Sequence, residues 1–210
     1  ARAIPFEESF DGGADDWLAS NWELESVDPR SGTQRMQDFP RGEIISYGDF
    51  ANTLSGEFDL SATSNPQLVF WIKGATGYKQ SFRAQVSTDH GVTWSDAWAQ
   101  GATWDDWTRI QVSLAAYREP ATRLRFVTRA SNYWDGTGVA LDDVALAEEP
   151  DAPTMEVPTP HLKSMDLAWS APTVHNFSRY ELYRDTDSTV DLESTKIAEI
   201  TDPALTSHTD

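Results

Sequence analysis

Between residues 66 and 130, apolar side chains return at every second position. Leu68, Phe70 and Ile72 share one face, as do Phe82, Ala84 and Val86, then Ile110, Val112 and Leu114. Leu124, Phe126 and Thr128 follow, with Arg123, Arg125 and Arg129 on the opposite side. Successive side chains of a strand point to opposite faces, so these runs read as half-buried strands. No stretch sustains the 3.6-residue period of an amphipathic helix. Strands recurring at intervals of about 10–15 residues, with no helices between them, predict an all-β chain of antiparallel sheets packed as a sandwich or barrel.

With 210 residues and 39% hydrophobic side chains, the chain can fill a core, and 11 Pro and 12 Gly punctuate the apolar runs as turns would. A formal charge of −18 opposes nucleic-acid phosphates and anionic lipid. It suits calcium, which takes oxygen ligands, and equally a solvated acidic surface. There is no cysteine, hence no disulfide or thiolate chemistry. No apolar run approaches the roughly 20 residues of a membrane span, so membrane insertion is not expected. The sequence opens on Ala1 without Met, as expected of a piece of a longer polypeptide.

Ala147-Glu148-Glu149-Pro150-Asp151-Ala152-Pro153 is acidic, bounded by proline and holds little to bury. It divides the chain into a domain at 1–147, a linker at 148–153 and a second domain at 154–210. In the first, Ser87-Thr88-Asp89-His90-Gly91-Val92-Thr93-Trp94 fits the Asp-box pattern S-x-D-x-G-x-T-W. Asp89 can accept turn amides, Gly91 can take positive φ, and Trp94 is expected to anchor the hairpin in the core. Sialidase propellers carry one such box per blade; a single copy without a repeat argues against a propeller.

The order of features extends the reading. Phe6-Glu7-Glu8-Ser9-Phe10-Asp11 and Trp17 open the domain, Leu68-Val69-Phe70-Trp71 stands midway, and the Asp-box and Trp107 to Leu114 follow. Leu124-Arg125-Phe126 and Leu141-Asp142-Asp143-Val144-Ala145-Leu146 close it. This resembles the MAM-like and reelin-repeat-like jelly rolls of large secreted bacterial proteins, without the cysteines of vertebrate MAM domains. The resemblance implies an antiparallel jelly-roll sandwich and a structural calcium ion between the first and last strands, with Glu7, Glu8, Asp11, Asp142 and Asp143 as ligands. The alternative is that these carboxylates cap loops. Alternation puts Asp142 on the face of Val144 and Leu146. In the second domain, Met165 to Pro172 and Phe177 to Arg184 resemble strands B and C of a fibronectin type III domain with Trp169 as anchor, and Lys196 to Ile200 a later strand. That implies a truncated immunoglobulin-like sandwich.

Trp98, Tyr133 and Trp134 stand in turn-like settings and are candidates for an exposed carbohydrate platform, the alternative being core packing. Arg83, Arg109, Arg123, Arg125 and Arg129 oppose the apolar faces. They form either a basic stripe for an acidic polysaccharide or cross-strand pairs with acidic neighbours. His90, His161, His175 and His208 lack the spacing of a zinc site or a catalytic triad, and the pairs Asp15-Asp16 and Asp105-Asp106 sit in turn-like contexts. The sequence therefore predicts no enzyme. It predicts a calcium-stabilised, non-catalytic interaction module of a secreted or cell-surface protein, partnered by other domains of the same polypeptide and by a polysaccharide or protein ligand. The alternative is a carbohydrate-binding module attached to an exported hydrolase.

Overall fold

A computed structural model describes residues 1–20, 22–38, 48–76, 81–130, 138–149, 153–171, 179–186, 190 and 194–210. The chain forms two compact units, Ala1–Glu148 and Glu149–Asp210. Glu148, read above as the first linker residue, is the last residue of a strand, and its carboxylate accepts the Ser64 amide at 2.5 Å.

The first unit contains β1 (Phe6–Glu8), β2 (Trp17–Ala19), β3 (Trp22–Glu25), β4 (Arg35–Asp38), β5 (Gly48–Leu54), β6 (Pro66–Ala75), β7 (Ser81–Ser87), β8 (Ser95–Gln100), β9 (Thr103–Ser113), β10 (Arg123–Ala130) and β11 (Gly138–Glu148). One sheet runs β3-β4-β11-β6-β9, with β1 also on β11; the other runs β2-β5-β10-β7-β8. All the ladders are antiparallel. From β4 onward the chain changes sheet at every connection except β7 to β8. That alternation makes the unit a jelly roll, as the resemblance implies.

The alternating residues form the filling. Leu68, Phe70, Ile72, Phe82, Ala84, Val86, Val112, Leu114, Leu124 and Phe126 are buried between the sheets. Phe70 of the first sheet meets Phe126 of the second edge-on at 5.0 Å, and Phe126 stacks on Phe82 at 5.8 Å. Each such ring contributes a large apolar area, and the edge and offset geometries add to its burial.

One charge-bearing group lies inside this filling. Asp38, at the end of β4, is fully buried, and its Oδ1 accepts hydrogen bonds from the Val139 amide and, at 3.3 Å, from the Gln37 side-chain amide. Its Oδ2 has no partner, and the Thr128 hydroxyl faces the carboxyl without closing a hydrogen bond. Residue 138 must be glycine here, since φ is +81° and a Cβ would stand 2.7 Å from Asp38 Oδ1. Burial pushes the Asp38 carboxyl up to about 7.

The second unit holds β12 (Thr159–Pro160), β13 (Met165–Ala168), β14 (Tyr180–Arg184), β15 (Thr195–Ile200) and β16 (Ser207–Thr209). They form a β12-β13-β16 sheet and a β14-β15 pair. Its core is Trp169, Tyr180, Leu182 and Ile200, with Trp169 edge-on to Tyr180 at 5.2 Å.

Asp38 has a consequence for stability against pH. An unfolded aspartate titrates near pH 4, so between about pH 4 and 7 the folded chain holds a proton that the unfolded chain has released. The stability this gives is fully present below about pH 4 and is lost as pH rises through 7. At about 1.4 kcal/mol per pK unit, the loss is on the order of 4 kcal/mol. The partly exposed Asp89, drawn down to about 2 by the Thr93 hydroxyl and amide, acts in the opposite sense, only below about pH 4. Urea midpoints measured between pH 4.5 and 7.5 should fall for the native chain and stay nearly level for Asp38→Asn. Parallel slopes would mean that Asp38 ionises freely in the folded state.

Candidate binding face on the second sheet

Because the apolar residues of β7 and β10 point inward, their alternate residues build the outer face of the second sheet. The ladder registers set these residues in rows. Leu18, Thr53, Arg125, Gln85 and Asp96 lie side by side across all five strands. The next row is Ala51, Val127, Arg83 and Ala99, and beyond it come Asp49, Arg129 and Ser81. Val127 faces outward yet is only 1% exposed.

Arg125 occupies the middle of its row. Its Nε donates to Gln85 Oε1 at 2.7 Å, and the Gln85 side-chain amide donates to Asp96 at 2.6 Å. The guanidinium lies 4.3 Å from the centre of the Trp94 ring. Desolvation pulls the Arg125 pKa down, against the pull of Asp49 and Asp96. Arg83 donates to Ser81 Oγ at 3.1 Å and stands 4.0 Å from Asp96. Arg123 pairs with Glu57 at 2.9 Å, and Arg129 lies 3.9 Å from Asp49.

Trp94 is held in place by the turn before it. The Ser87 hydroxyl donates to Asp89 and accepts the Gly91 amide, the Asp89 carboxylate accepts the Thr93 amide and hydroxyl, and the Trp94 indole donates to the Gly91 carbonyl at 3.1 Å. The turn thus does the fixing expected of it, but Trp94 does not enter the core. It is partly exposed and lies on the outer face beneath Arg125.

Trp98 reverses in the other direction. It packs edge-on against Phe70 at 5.7 Å and Phe82 at 6.1 Å, and is partly buried against the core. A bulge explains the exchange: Ala84 pairs with Trp98 but Gln85 pairs with Asp96, and the extra residue in β8 turns Trp98 inward. Tyr133 and Trp134 lie outside the described residues. Arg109 leaves the basic stripe because β9 belongs to the first sheet; Arg83, Arg123, Arg125 and Arg129 remain together.

The five residues assigned to calcium do gather near one place, where β1 runs along β11 with Glu8 opposite Val144. A bulge between Asp142 and Ala145 breaks the alternation, so Asp142 pairs with Trp71 and does not share the inward face of Val144. Asp142 is fully buried and accepts the amides of Arg30 at 2.8 Å and of Asp143 at 2.8 Å. Asp143 takes the Arg30 guanidinium at 2.5 Å and the Ser31 hydroxyl at 2.7 Å. Glu8 accepts the Phe10 amide and the Trp17 indole, and Asp11 accepts the amides of Thr33 and Gln34. Glu7 is exposed. Gly32 lets this loop close, since at φ +59° a Cβ would fall 1.7 Å from Asp11 Oδ2. Each of these bonded carboxylates is thus turned toward N–H or O–H donors, and no three acidic or histidine side chains converge among the described residues. Arg30 brings a positive charge to this end by its pair with Asp143, and its guanidinium also lies 4.1 Å over the Trp71 ring.

No protein-family model and no curated protein matches the sequence. Solved jelly-roll modules do resemble it in structure. TmCBM61 in complex with β-1,4-galactotriose is 16% identical over 67% of this chain and 94% of its own, with a TM-score of 0.48. The CBM22-1 xylan-binding domain of Paenibacillus barcinonensis Xyn10C is 15% identical over 68% and 92%, at 0.45. The family 30 carbohydrate-binding module of the Clostridium thermocellum cellulase Cel9D-Cel44B is 14% identical over 70% and 92%, at 0.45. At these values the ligands of those modules carry no argument about this chain, and the jelly-roll architecture rests on its own strand order.

The acidic end supplies a direct test. Melting temperatures in millimolar calcium and in chelator should coincide, while Arg30→Gln should lower the melting temperature of the first unit. A clear rise with calcium would mean that these carboxylates turn from their amides to the ion.

Proposed function

We propose that the first unit is a non-catalytic polysaccharide-binding module of a secreted multidomain protein, with the outer face of the second sheet as its binding face. The observation that carries this reading is the row Thr53, Arg125, Gln85 and Asp96 with Trp94 lying against it. A sugar chain offers hydroxyl groups that both donate and accept, and apolar ring faces between them. Planar guanidinium, amide and carboxylate groups serve the hydroxyls, and an indole serves a ring face. Arg125 and Trp94 are both partly exposed on this face, where a polymer can reach them.

The disposition of the ionisable groups supports a module without chemistry of its own. Among the described residues, the two carboxyls whose pKa is raised, Asp38 and Asp142, are both fully buried, and a general acid must reach the bond it protonates. His90 and His161 are exposed and paired with Glu57 and Asp166. No helix among the described residues is long and apolar enough to cross a membrane. The likeness of residues 4–147 to MAM-like domains, and that of 154–210 to a fibronectin type III domain, belong to the same reading. Two small sheets packed on Trp169 support the second of these. Such a unit suits a spacer between functional domains of one polypeptide.

Affinity electrophoresis of the full chain through gels containing a panel of soluble plant and microbial polysaccharides tests the proposal. Retardation by at least one of them is expected, and it should be lost when Trp94→Ala is combined with Gln85→Ala. Unretarded migration through every gel would overturn the reading.

A further inference from the structure

The proposed binding face carries a charge that the rest of the protein does not. Among its described residues are four guanidinium groups, of Arg83, Arg123, Arg125 and Arg129, on a chain whose net charge is −18. Three carboxylates answer them. Glu57 takes Arg123, Asp49 stands by Arg129, and Asp96 stands 4.0 Å from Arg83 while accepting from Gln85. Arg125 is left without a carboxylate within 4.0 Å among the described residues, although it is the central group of the face and partly buried.

That position is costly unless something compensates. A guanidinium taken partly out of water loses hydration, and one bond to Gln85 through Nε together with the Trp94 ring replaces only some of it. The two terminal nitrogens of Arg125 donate no hydrogen bond to the described residues, yet the bond through Nε and the contact with the ring fix the plane of the group. A guanidinium held flat with its outer edge free is a fork for a planar anion, which it grips with two parallel bonds. Arg83 is the diagonal neighbour of Arg125 on the adjacent strand, about 7–8 Å away by sheet geometry, so a second anionic group along the same polymer can meet it.

Resting on the reading of this face as a polysaccharide site, we infer that its ligand is an anionic polysaccharide, with the acid group of one sugar residue seated on Arg125 and that of a nearby residue on Arg83. Carboxylate and sulfate share the required chemistry, and the planar carboxylate of a uronic acid matches the fork best. The general negative charge of the chain keeps such a polymer off other surfaces, which makes the basic face selective as well as attractive.

The test is isothermal titration of the full chain with polygalacturonate, the same polymer methyl-esterified to remove its charge, a sulfated galactan, and neutral galactan and xylan. Polygalacturonate is expected to bind and its ester to bind at least tenfold more weakly, with affinity falling as salt is raised. Tighter binding of the sulfated polymer would support the anionic site and assign sulfate as its group. Arg125→Gln should weaken binding roughly tenfold to a hundredfold, the range for loss of a charge-assisted pair. Arg83→Gln should also weaken it, and Arg109→Gln on the other sheet should leave it unchanged. Equal affinity for the charged polymer and its ester, or binding of neutral polymers alone with Arg125→Gln without effect, overturns this inference and leaves the polysaccharide reading standing. Binding of none of the five overturns both.

Discussion

The packing of three phenylalanine rings between the sheets determines what the outer faces can be. Phe70 comes from β6, Phe82 from β7 and Phe126 from β10, and all three are inaccessible to water. Once these rings are fixed inward, strand alternation leaves no choice for their neighbours. Arg83 and Gln85 flank Ala84, and Arg125 and Val127 flank Phe126, so they must stand on the outside, and the antiparallel register brings them side by side. The core thus writes the surface. Loss of one ring would disturb the proposed binding face by loosening the register that aligns it, without any contact to a ligand.

Electrostatics in this unit is arranged so that most carboxylates serve the chain itself. Asp142 and Asp143 tie the loop around residues 30–34 to β11, Asp11 ties it to the segment after β1, Asp89 organises the turn that presents Trp94, and Glu148 holds the Ser64 amide. Carboxylates accepting several N–H donors are satisfied within the fold. Against that background two groups stand out. Asp38 is buried with one oxygen unpartnered, and Arg125 is partly buried without an acidic partner among the described residues. The first is a proton reservoir sealed in the core; the second is open to the outside and so able to meet a ligand.

Much of this was legible from spacing alone. Period-two runs predicted the strands of β6, β7, β9 and β10 and which of their residues are inside, and the motif at Ser87–Trp94 predicted a turn held by Asp89. Bulges were not legible, because one inserted residue inverts the parity of everything after it while leaving the pattern of residue types unchanged. The bulge in β8 exchanged the roles of Trp94 and Trp98, and that in β11 took Asp142 off the face of Val144. Nor can a sequence tell which sheet a strand joins, which is why Arg109 was grouped with arginines from which the fold separates it. The calcium assignment drew together residues that do lie near one another. It could not foresee that backbone amides and Arg30 would occupy their oxygens.

The central claim is that ligand meets the outer face of the second sheet, over Arg125. Amide chemical-shift mapping of the isotopically labelled chain during titration with polygalacturonate measures this most directly. The account predicts that the largest shifts fall on residues 83–85, 94–96 and 125–127 and on the side chains of Gln85 and Trp94, while Trp71 and Arg109 on the other sheet stay still. Shifts concentrated on the first sheet, or around Arg30 and Asp143, would contradict it.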